Sequence, residues 1–276
     1  MNPIPTQNPP IPRLLYFVTL IEVLVLFTAG GGLFFAPEFT NTLWPWALTP
    51  FNTRFLGAVY LASMSAVVLM VLKNRWSPTR PVLRVIFSFT LIVLIVSILY
   101  NASFDFQRWG TWLWYALYIV LPLNSAYHLW LLRHMPTTHL SPTPRMWSTI
   151  TRVLGLILIL YGVGLLLLPA VFSRFFPWLL DDFHSQLYSA VFVGGGVGLL
   201  TVSSSTDGWE FMAAGVPLCV LGVLAIAGLL LVDAAVQRMV WTEIGVWLWL
   251  GAFALMAVMG VSIMVTGSRL LKETGS

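Results

Sequence analysis

Long apolar stretches recur along the chain, separated by short segments that hold most of the charged residues and prolines. A helix needs about 20 mainly apolar residues to cross the hydrocarbon core of a bilayer. These stretches are too long for strands and do not alternate, so a β-barrel is not expected. The pattern predicts an all-α membrane protein with eight transmembrane helices. The predicted spans lie near residues 14–36, 52–72, 82–103, 110–132, 148–168, 184–202, 211–232 and 242–267.

The composition excludes an ordinary soluble domain. Hydrophobic residues make up 58% of the chain and charged residues 9%, against roughly 25% charged residues in a typical globular protein. So few charges cannot cover a surface in water, so the lipid bilayer is the expected solvent. The first apolar stretch contains Glu22 and lacks a small-x-small cleavage site, which favours a membrane span over a signal peptide. Residues 1–12 are rich in proline and are expected to form a cytoplasmic tail.

The positive charges sort to alternate ends of the predicted helices. Ten of the fourteen Lys and Arg residues fall on one side of the membrane. By the positive-inside rule, this side is cytoplasmic and holds both termini, which predicts a protein of the plasma (inner) membrane. The charges do not gather on one face, so a nucleic-acid partner is not expected. Tryptophans cluster towards the other side, as in an interfacial aromatic belt. They are Trp44, Trp46, Trp109, Trp112, Trp178, Trp241 and Trp247.

The sequence also contains an internal repeat. A shift of 132 residues, without gaps, aligns Arg13 with Arg145 and Pro37 with Pro169. It also aligns the Pro-Trp pair at residues 45–46 with the Pro-Trp pair at residues 177–178. This predicts two tandem four-helix repeats, at residues 13–144 and 145–276. Because four spans return the chain to its starting side, the repeats insert in parallel orientation. The matched prolines are expected to end the first helix of each repeat.

One short segment carries a resemblance. Residues 44–50 read W-P-W-A-L-T-P, with Arg54 four residues on. This string resembles one found in uncharacterised prokaryotic multipass membrane proteins. The resemblance covers about ten residues and implies a membrane protein without an assigned activity.

Polar residues at membrane depth are expensive and therefore indicate a candidate functional site. Glu22 follows Arg13 by nine residues, which places it roughly 13 Å deep at 1.5 Å per residue. Asn124 and His128 share one face of the fourth span by their four-residue spacing. Ser63 and Ser65 of the second span fall in the same layer. We expect these five side chains to line one polar cavity of the first repeat, or else to form hydrogen bonds that fix helix packing.

Three classes of function remain open. A small-solute or proton-linked transporter, or a solute-binding protein, would use the Glu22 cavity. An accessory or scaffold subunit that binds lipid or pigment would need only the bundle, with Glu22 paired internally and an apolar face covered by a membrane partner or a second copy. A lipid-active enzyme, the least favoured class, would need convergent catalytic groups near an interface. The candidates for such groups at the outer face are Arg54, Glu38, Asp105 and Arg108.

The sequence leaves the cofactor unknown; His128 could supply a single ligand to a haem or a chlorin. Asp181, Asp182 and His184 stand together at the start of the sixth span, but such a group more often caps a helix than binds a metal. No metal site and no catalytic residue are therefore assigned. The transport or solute-binding interpretation is preferred narrowly.

Overall fold

A computed structural model describes residues 8–135, 145–205 and 207–273. The fold is all-helical, and the described residues contain no strand. The first part of the chain forms α1 (Arg13–Phe35), α2 (Pro37–Leu43), α3 (Pro50–Lys73), α4 (Trp76–Leu99) and α5 (Trp109–Leu131). The second part forms α6 (Arg145–Leu167), α7 (Pro169–Phe172), α8 (Asp182–Val202), α9 (Gly208–Val236) and α10 (Ile244–Glu273).

Seven of these helices are long and apolar enough to cross a membrane, namely α1, α3, α4, α6, α8, α9 and α10. Many of their large apolar side chains point away from the protein; Phe17 is 62% exposed and Leu160 is 69% exposed. Such surfaces are typical of faces that contact lipid or another protein within the membrane. The seven helices therefore indicate a multipass membrane protein. The eighth predicted span, α5, has 23 residues but is not among the seven, because Trp, Tyr, Asn and His lower its hydropathy.

Proline and short polar side chains decide where several helices begin. Pro37, Pro50 and Pro169 occupy the first turns of α2, α3 and α7, where the missing N–H of proline has no intrahelical partner to lose. The long helices α1 and α6 end two residues before Pro37 and Pro169, as the sequence predicts. Asp181 caps α8 by accepting a hydrogen bond from the backbone N–H of His184 at 2.8 Å.

The helices of the two parts of the chain are interleaved. α3 packs on α1 from its own part and on α9 from the other part. In the same way α8 packs on α6 and on α4, while α10 packs along α9. The main core therefore includes buried side chains of both parts of the chain, such as Phe55 and Phe253, whose rings lie 5.9 Å apart.

Two glycines allow the close contact between α6 and α8. A Cβ atom on Gly196 of α8 would lie 2.6 Å from the carbonyl oxygen of Gly155 on α6. The backbones of α6 and α8 therefore approach closely, because glycine has no side chain to keep the two helices apart.

The end of the bundle that holds α2 and α7 is called the α2 end below. At the opposite end, residues 8–12 lie against the start of α4. The backbone N–H of Ser77 donates to the Asn8 side chain at 2.7 Å, and that of Trp76 donates to the Pro9 carbonyl at 2.9 Å. The remainder of the predicted tail lies outside the described residues.

Candidate functional site

The protein contains a cavity of about 460 Å³ at the depth of the membrane-spanning helices. Its walls are formed mainly by α1, α3, α4 and α5, and residues of α8 and α9 complete them. Most of the lining side chains are aliphatic or aromatic. A cavity of this size, with mainly apolar walls and a few polar groups, is typical of a site for one small organic molecule.

Among the described residues, Glu22 is the one acidic side chain that lines the cavity. It belongs to the stripe of α1 that faces the protein, together with Leu15, Thr19 and Gly30 at helical spacing. The Glu22 side chain is buried, with 9% of the residue exposed, and within the described residues it forms no hydrogen bond or ion pair. The electrostatic neighbour of its carboxyl group is the phenol of Tyr118 on α5. An ionised Glu22 therefore has no counter-charge from the described residues, and a proton or a cationic ligand would supply one.

Two tyrosines that the sequence analysis did not single out form the polar wall beside Glu22. The hydroxyl groups of Tyr60 on α3 and Tyr118 on α5 lie 3.1 Å apart, and both side chains line the cavity. The ring of Tyr118 also packs against Trp114, with centroids 4.3 Å apart. Aromatic faces and hydroxyl groups are therefore available next to the carboxyl group.

The five residues predicted to share this cavity are divided between different surroundings. Glu22 and Ser63 line it. The other three are not among its lining residues. Ser65 donates to the carbonyl of Ala62 at 2.6 Å, and the Nδ1 atom of His128 bonds the carbonyl of Asn124 at 2.9 Å. Asn124 and His128 share one face of α5 as predicted, but their contact is a hydrogen bond between the His128 ring and the backbone of the same helix.

The four outer-face candidates do not converge on one point, and three of them form contacts at the α2 end. Arg54 donates to the carbonyl of Phe34, and Arg108 forms an ion pair with Asp105 at 3.0 Å. Glu38 lies exposed in the first turn of α2. These contacts give Arg54, Asp105 and Arg108 a role in holding the chain segments at this end.

The α2 end of the cavity is closed by a group of contacts called the α2 cap. Arg108 donates to the carbonyl groups of Asn41 at 3.2 Å and Trp44 at 2.7 Å. The backbone N–H of Asp105 donates to the carbonyl of Pro45 at 2.8 Å. The loop before α5 is thereby fixed to the segment after α2.

Three of the tryptophans expected in an interfacial belt are instead buried, so the prediction is wrong for these three. Trp44, Trp46 and Trp178 are 7%, 4% and 9% exposed, respectively. Trp46 donates its indole N–H to His184 at 3.0 Å, and Trp178 donates to the Asn52 side chain at 2.9 Å. Both hydrogen bonds connect the first part of the chain with the second. The other four members of the predicted belt are exposed: Trp109, Trp112, Trp241 and Trp247.

A buried ion pair at the opposite end was also missed by sequence reasoning. Arg80 of α4 contacts the carboxylate of Glu210 on α9 through two hydrogen bonds, at 2.8 and 2.7 Å. Beside it, Ser77 donates to Asp207 at 2.5 Å. Because 130 residues separate the members of each pair, no local sequence signal reveals them.

The described residues contain no group of three or more His, Cys, Asp or Glu side chains that could hold a metal ion. At the position considered from the sequence, Asp181 caps α8 and accepts a hydrogen bond from the His184 ring at 2.8 Å. No protein-family model, curated protein or solved structure matches this chain.

Proposed function

We propose that this protein binds a small, mainly apolar solute in the membrane-embedded cavity, as a transporter or solute-binding protein, with Glu22 as its polar anchor. The observation that carries the proposal is the unpaired Glu22 carboxyl group on the wall of an apolar cavity of about 460 Å³. A carboxyl group kept at membrane depth is costly. Stability gives no reason for it, because within the described residues Glu22 makes no hydrogen bond that fixes the helices.

The other two classes of function are less well supported. A scaffold subunit would be expected to pair Glu22 internally, and no such partner exists in the described ranges. A lipid-active enzyme would be expected to bring Arg54, Asp105 and Arg108 around a reaction centre, whereas the contacts of these residues are structural. Proton linkage is part of the transport proposal, because among the described lining residues Glu22 supplies the carboxyl group, which can take up and release a proton.

The architecture proposed with this function is a tandem repeat of four spans plus four spans, with α5 as the eighth span. It is supported by the helix starts, since α6, α7, α8 and α9 begin 132 residues after α1, α2, α3 and α4, respectively. It is also supported by a reciprocal pair of hydrogen bonds. Trp46 bonds His184, and Trp178 bonds Asn52. The same shift of 132 residues relates Trp46 to Trp178 and Asn52 to His184, as a two-fold axis between parallel repeats would require.

The proposed setting is the plasma (inner) membrane, with both termini in the cytoplasm and the α2 end outside. The excess of Lys and Arg near the opposite end supports this orientation. The bilayer is the proposed surrounding partner, and the exposed apolar faces are compatible with a second copy or another membrane protein beside it.

Solute binding can be tested by thermal unfolding of the purified protein with decylamine, decanol and decanoic acid. A ligand that binds the folded state raises the unfolding midpoint. We expect at least one of these probes to stabilise the wild type, and Ser63→Phe, which fills the cavity, to abolish the shift. Ser65→Phe is the matched control, because Ser65 lies on the same helix but does not line the cavity. Equal shifts in the wild type and both variants, or no shift with any probe, would exclude this function.

Transport can be tested with the same probes in vesicles that contain a pH-sensitive dye. Vesicles without protein give the baseline, because decylamine and decanoic acid cross a bare bilayer in their neutral forms and carry protons with them. We expect an inward gradient of a binding probe to move protons faster than this baseline in the presence of the wild-type protein. Glu22→Gln should return the rate to the baseline while leaving the fold intact. Equal proton movement in Glu22→Gln vesicles would exclude the proton-linked mechanism.

A further inference from the structure

The cavity is exposed along one side. Its exposed lining residues all lie on α1, on α2, at the junction between them, or on α5: Thr28, Ala36, Phe39, Leu43, Trp109 and Leu113. Phe39 is 70% exposed and Trp109 is 61% exposed. α1 packs mainly on α3, and α5 packs mainly on α4. This arrangement leaves an opening between α1–α2 and α5, which is called the α1–α5 gap.

Both ends of the cavity that would face water are covered. At one end the α2 cap lies over it, held by Arg108 and Asp105. Towards the opposite end, the cavity borders a second cluster of buried apolar side chains, and Val67, Val82 and Ile86 of this cluster line it. Its members include Leu15, Met70, Leu83 and Leu132, none of which is more than 7% exposed. The α1–α5 gap is therefore the open side. It extends from Phe39 and Trp109 at the α2 end to Thr28 and Leu113, which lie deeper in α1 and α5.

The chemistry around the cavity narrows the class of molecule that would use this gap. Apart from Thr28, the exposed residues of the rim have apolar or aromatic side chains, so the rim favours a molecule already dissolved in the bilayer. At depth, the carboxyl group of Glu22 has no counter-charge within the described residues. The aromatic rings of Tyr118 and Trp114 stand in the same wall, and such rings attract cations. A basic nitrogen on an apolar body satisfies each of these features.

We infer that the cavity admits a membrane-dissolved apolar amine sideways from the bilayer, through the α1–α5 gap, and holds its nitrogen at Glu22. This inference rests on the proposed function, since it names the ligand class and the route of the same site. A single molecule of modest size is expected, because the cavity volume of about 460 Å³ lies towards the lower end of the usual range for ligand sites.

The test uses the full chain in lipid nanodiscs and a decylamine that carries a photoactivatable diazirine. A decanol with the same diazirine is the neutral comparison. The yield and the rate of labelling of cavity-lining peptides are measured by mass spectrometry. We expect Glu22→Gln to lower amine labelling about tenfold, the factor that corresponds to roughly 1.4 kcal/mol of binding free energy. Labelling by the decanol probe should change little.

The route is tested by narrowing the gap. Leu113→Trp places a larger ring at the rim, and Leu123→Trp is the matched control because Leu123 is exposed on the same helix but does not line the cavity. We expect Leu113→Trp to slow amine labelling several-fold and Leu123→Trp to leave it unchanged. Thr28→Trp, on the α1 side of the gap, is a second blocking variant that keeps the test valid if Leu113→Trp does not fold.

The outcomes separate the inference from the function on which it rests. If both blocking variants label as fast as the wild type while Ser63→Phe abolishes labelling, the lateral route is wrong and solute binding stands. If the amine and the alcohol lose labelling equally in Glu22→Gln, the amine class is wrong. If Ser63→Phe and Glu22→Gln both label like the wild type, the proposed function itself fails.

Discussion

The indole N–H of Trp46 donates a hydrogen bond to the Nε2 atom of His184 over 3.0 Å, although 138 residues separate them in sequence. An indole nitrogen is only a donor, so Nε2 must be the acceptor. The remaining ring proton of His184 is therefore on Nδ1, which lies 2.8 Å from a carboxylate oxygen of Asp181. This chain of three side chains connects the segment after α2 with the start of α8.

Replacing Trp46 with Phe should destabilise the protein more than the same change at Trp44. Trp46→Phe leaves the buried acceptor on His184 without a partner, which costs about 1–3 kcal/mol. Trp44→Phe is the matched control, because no residue in the described ranges accepts a hydrogen bond from the buried Trp44 indole nitrogen. The unfolding midpoint in detergent measures both. Equal losses of stability would show that the hydrogen bond contributes nothing beyond packing.

Acid should weaken the fold partly through Asp181. Burial raises the pKa of Asp181, but hydrogen bonds from the His184 ring, the His184 backbone N–H and the Phe183 backbone N–H outweigh it, so its pKa lies below the ordinary value. A carboxyl group with a lowered folded-state pKa stabilises the protein fully above its unfolded pKa, about 3.9, and loses this effect as the pH falls through the folded value. The stability of the wild type should therefore fall below about pH 4.

The variant Asp181→Asn should be less stable than the wild type at neutral pH and should lose less stability in acid. Unfolding midpoints between neutral pH and pH 3 would measure the difference, with about pH 4 as the expected turning point. Asp182→Asn is the control, because the His184 ring bonds Asp181 and not its neighbour. Parallel curves for Asp181→Asn and the wild type would contradict this assignment.

Removal of the buried carboxylate at the opposite end should be costly. Glu210 is fully buried, and Arg80 is 20% exposed, so Glu210→Gln leaves a poorly solvated guanidinium group without its ion-pair partner. Loss of one member of such a pair costs about 3–5 kcal/mol. Asp105→Asn is the comparison, since its ion pair with Arg108 is much more exposed and exposed pairs are worth about 0–1 kcal/mol. A smaller loss of unfolding free energy for Glu210→Gln than for Asp105→Asn would refute this ranking.

Adjacent glycines of α8 should respond in opposite ways to alanine. A Cβ atom on Gly196 meets the backbone of Gly155 at 2.6 Å, whereas one on Gly195 has its nearest neighbour, Leu158, at 3.7 Å. Overpacking at Gly196 should cost about 1–3 kcal/mol. Gly195→Ala should be neutral or raise stability by up to about 1 kcal/mol through helix propensity. Thermal unfolding of both variants decides the matter, and a stable Gly196→Ala protein would mean that α6 and α8 can separate without cost.

The positions of the helices were largely predictable, because lengths of apolar sequence and prolines are local signals. The bounds differ mostly by a few residues. The largest shift at a helix start is in α4, which begins at Trp76 although the span was predicted near 82–103. Pro78 lies in the first turn of α4 and Pro81 lies inside it, so these prolines do not exclude the segment from the helix.

The position of Glu22 along its helix was predictable, but the composition of the site was not. Counting along α1 placed Glu22 correctly within a long helix, whereas the direction of the Asn124 and His128 side chains depended on how α5 packs. Tyr60 and Tyr118 are 58 residues apart, and nothing local relates them. Trp46 gave a misleading signal, because an amphipathic indole is equally suited to the membrane interface and to a buried hydrogen bond.

The interleaving of α3 with α9 and of α4 with α8 has a consequence for biosynthesis. A chain is made from its N-terminus, so α3 and α4 exist before the helices that cover them. Until then their inward faces, including the carboxylate-binding side chain of Arg80, must rest against lipid or another membrane protein. The order of synthesis thus creates an interval in which the first five helices are present but the cavity lacks the part of its wall that α8 and α9 supply, and assembly of the site waits for those two helices.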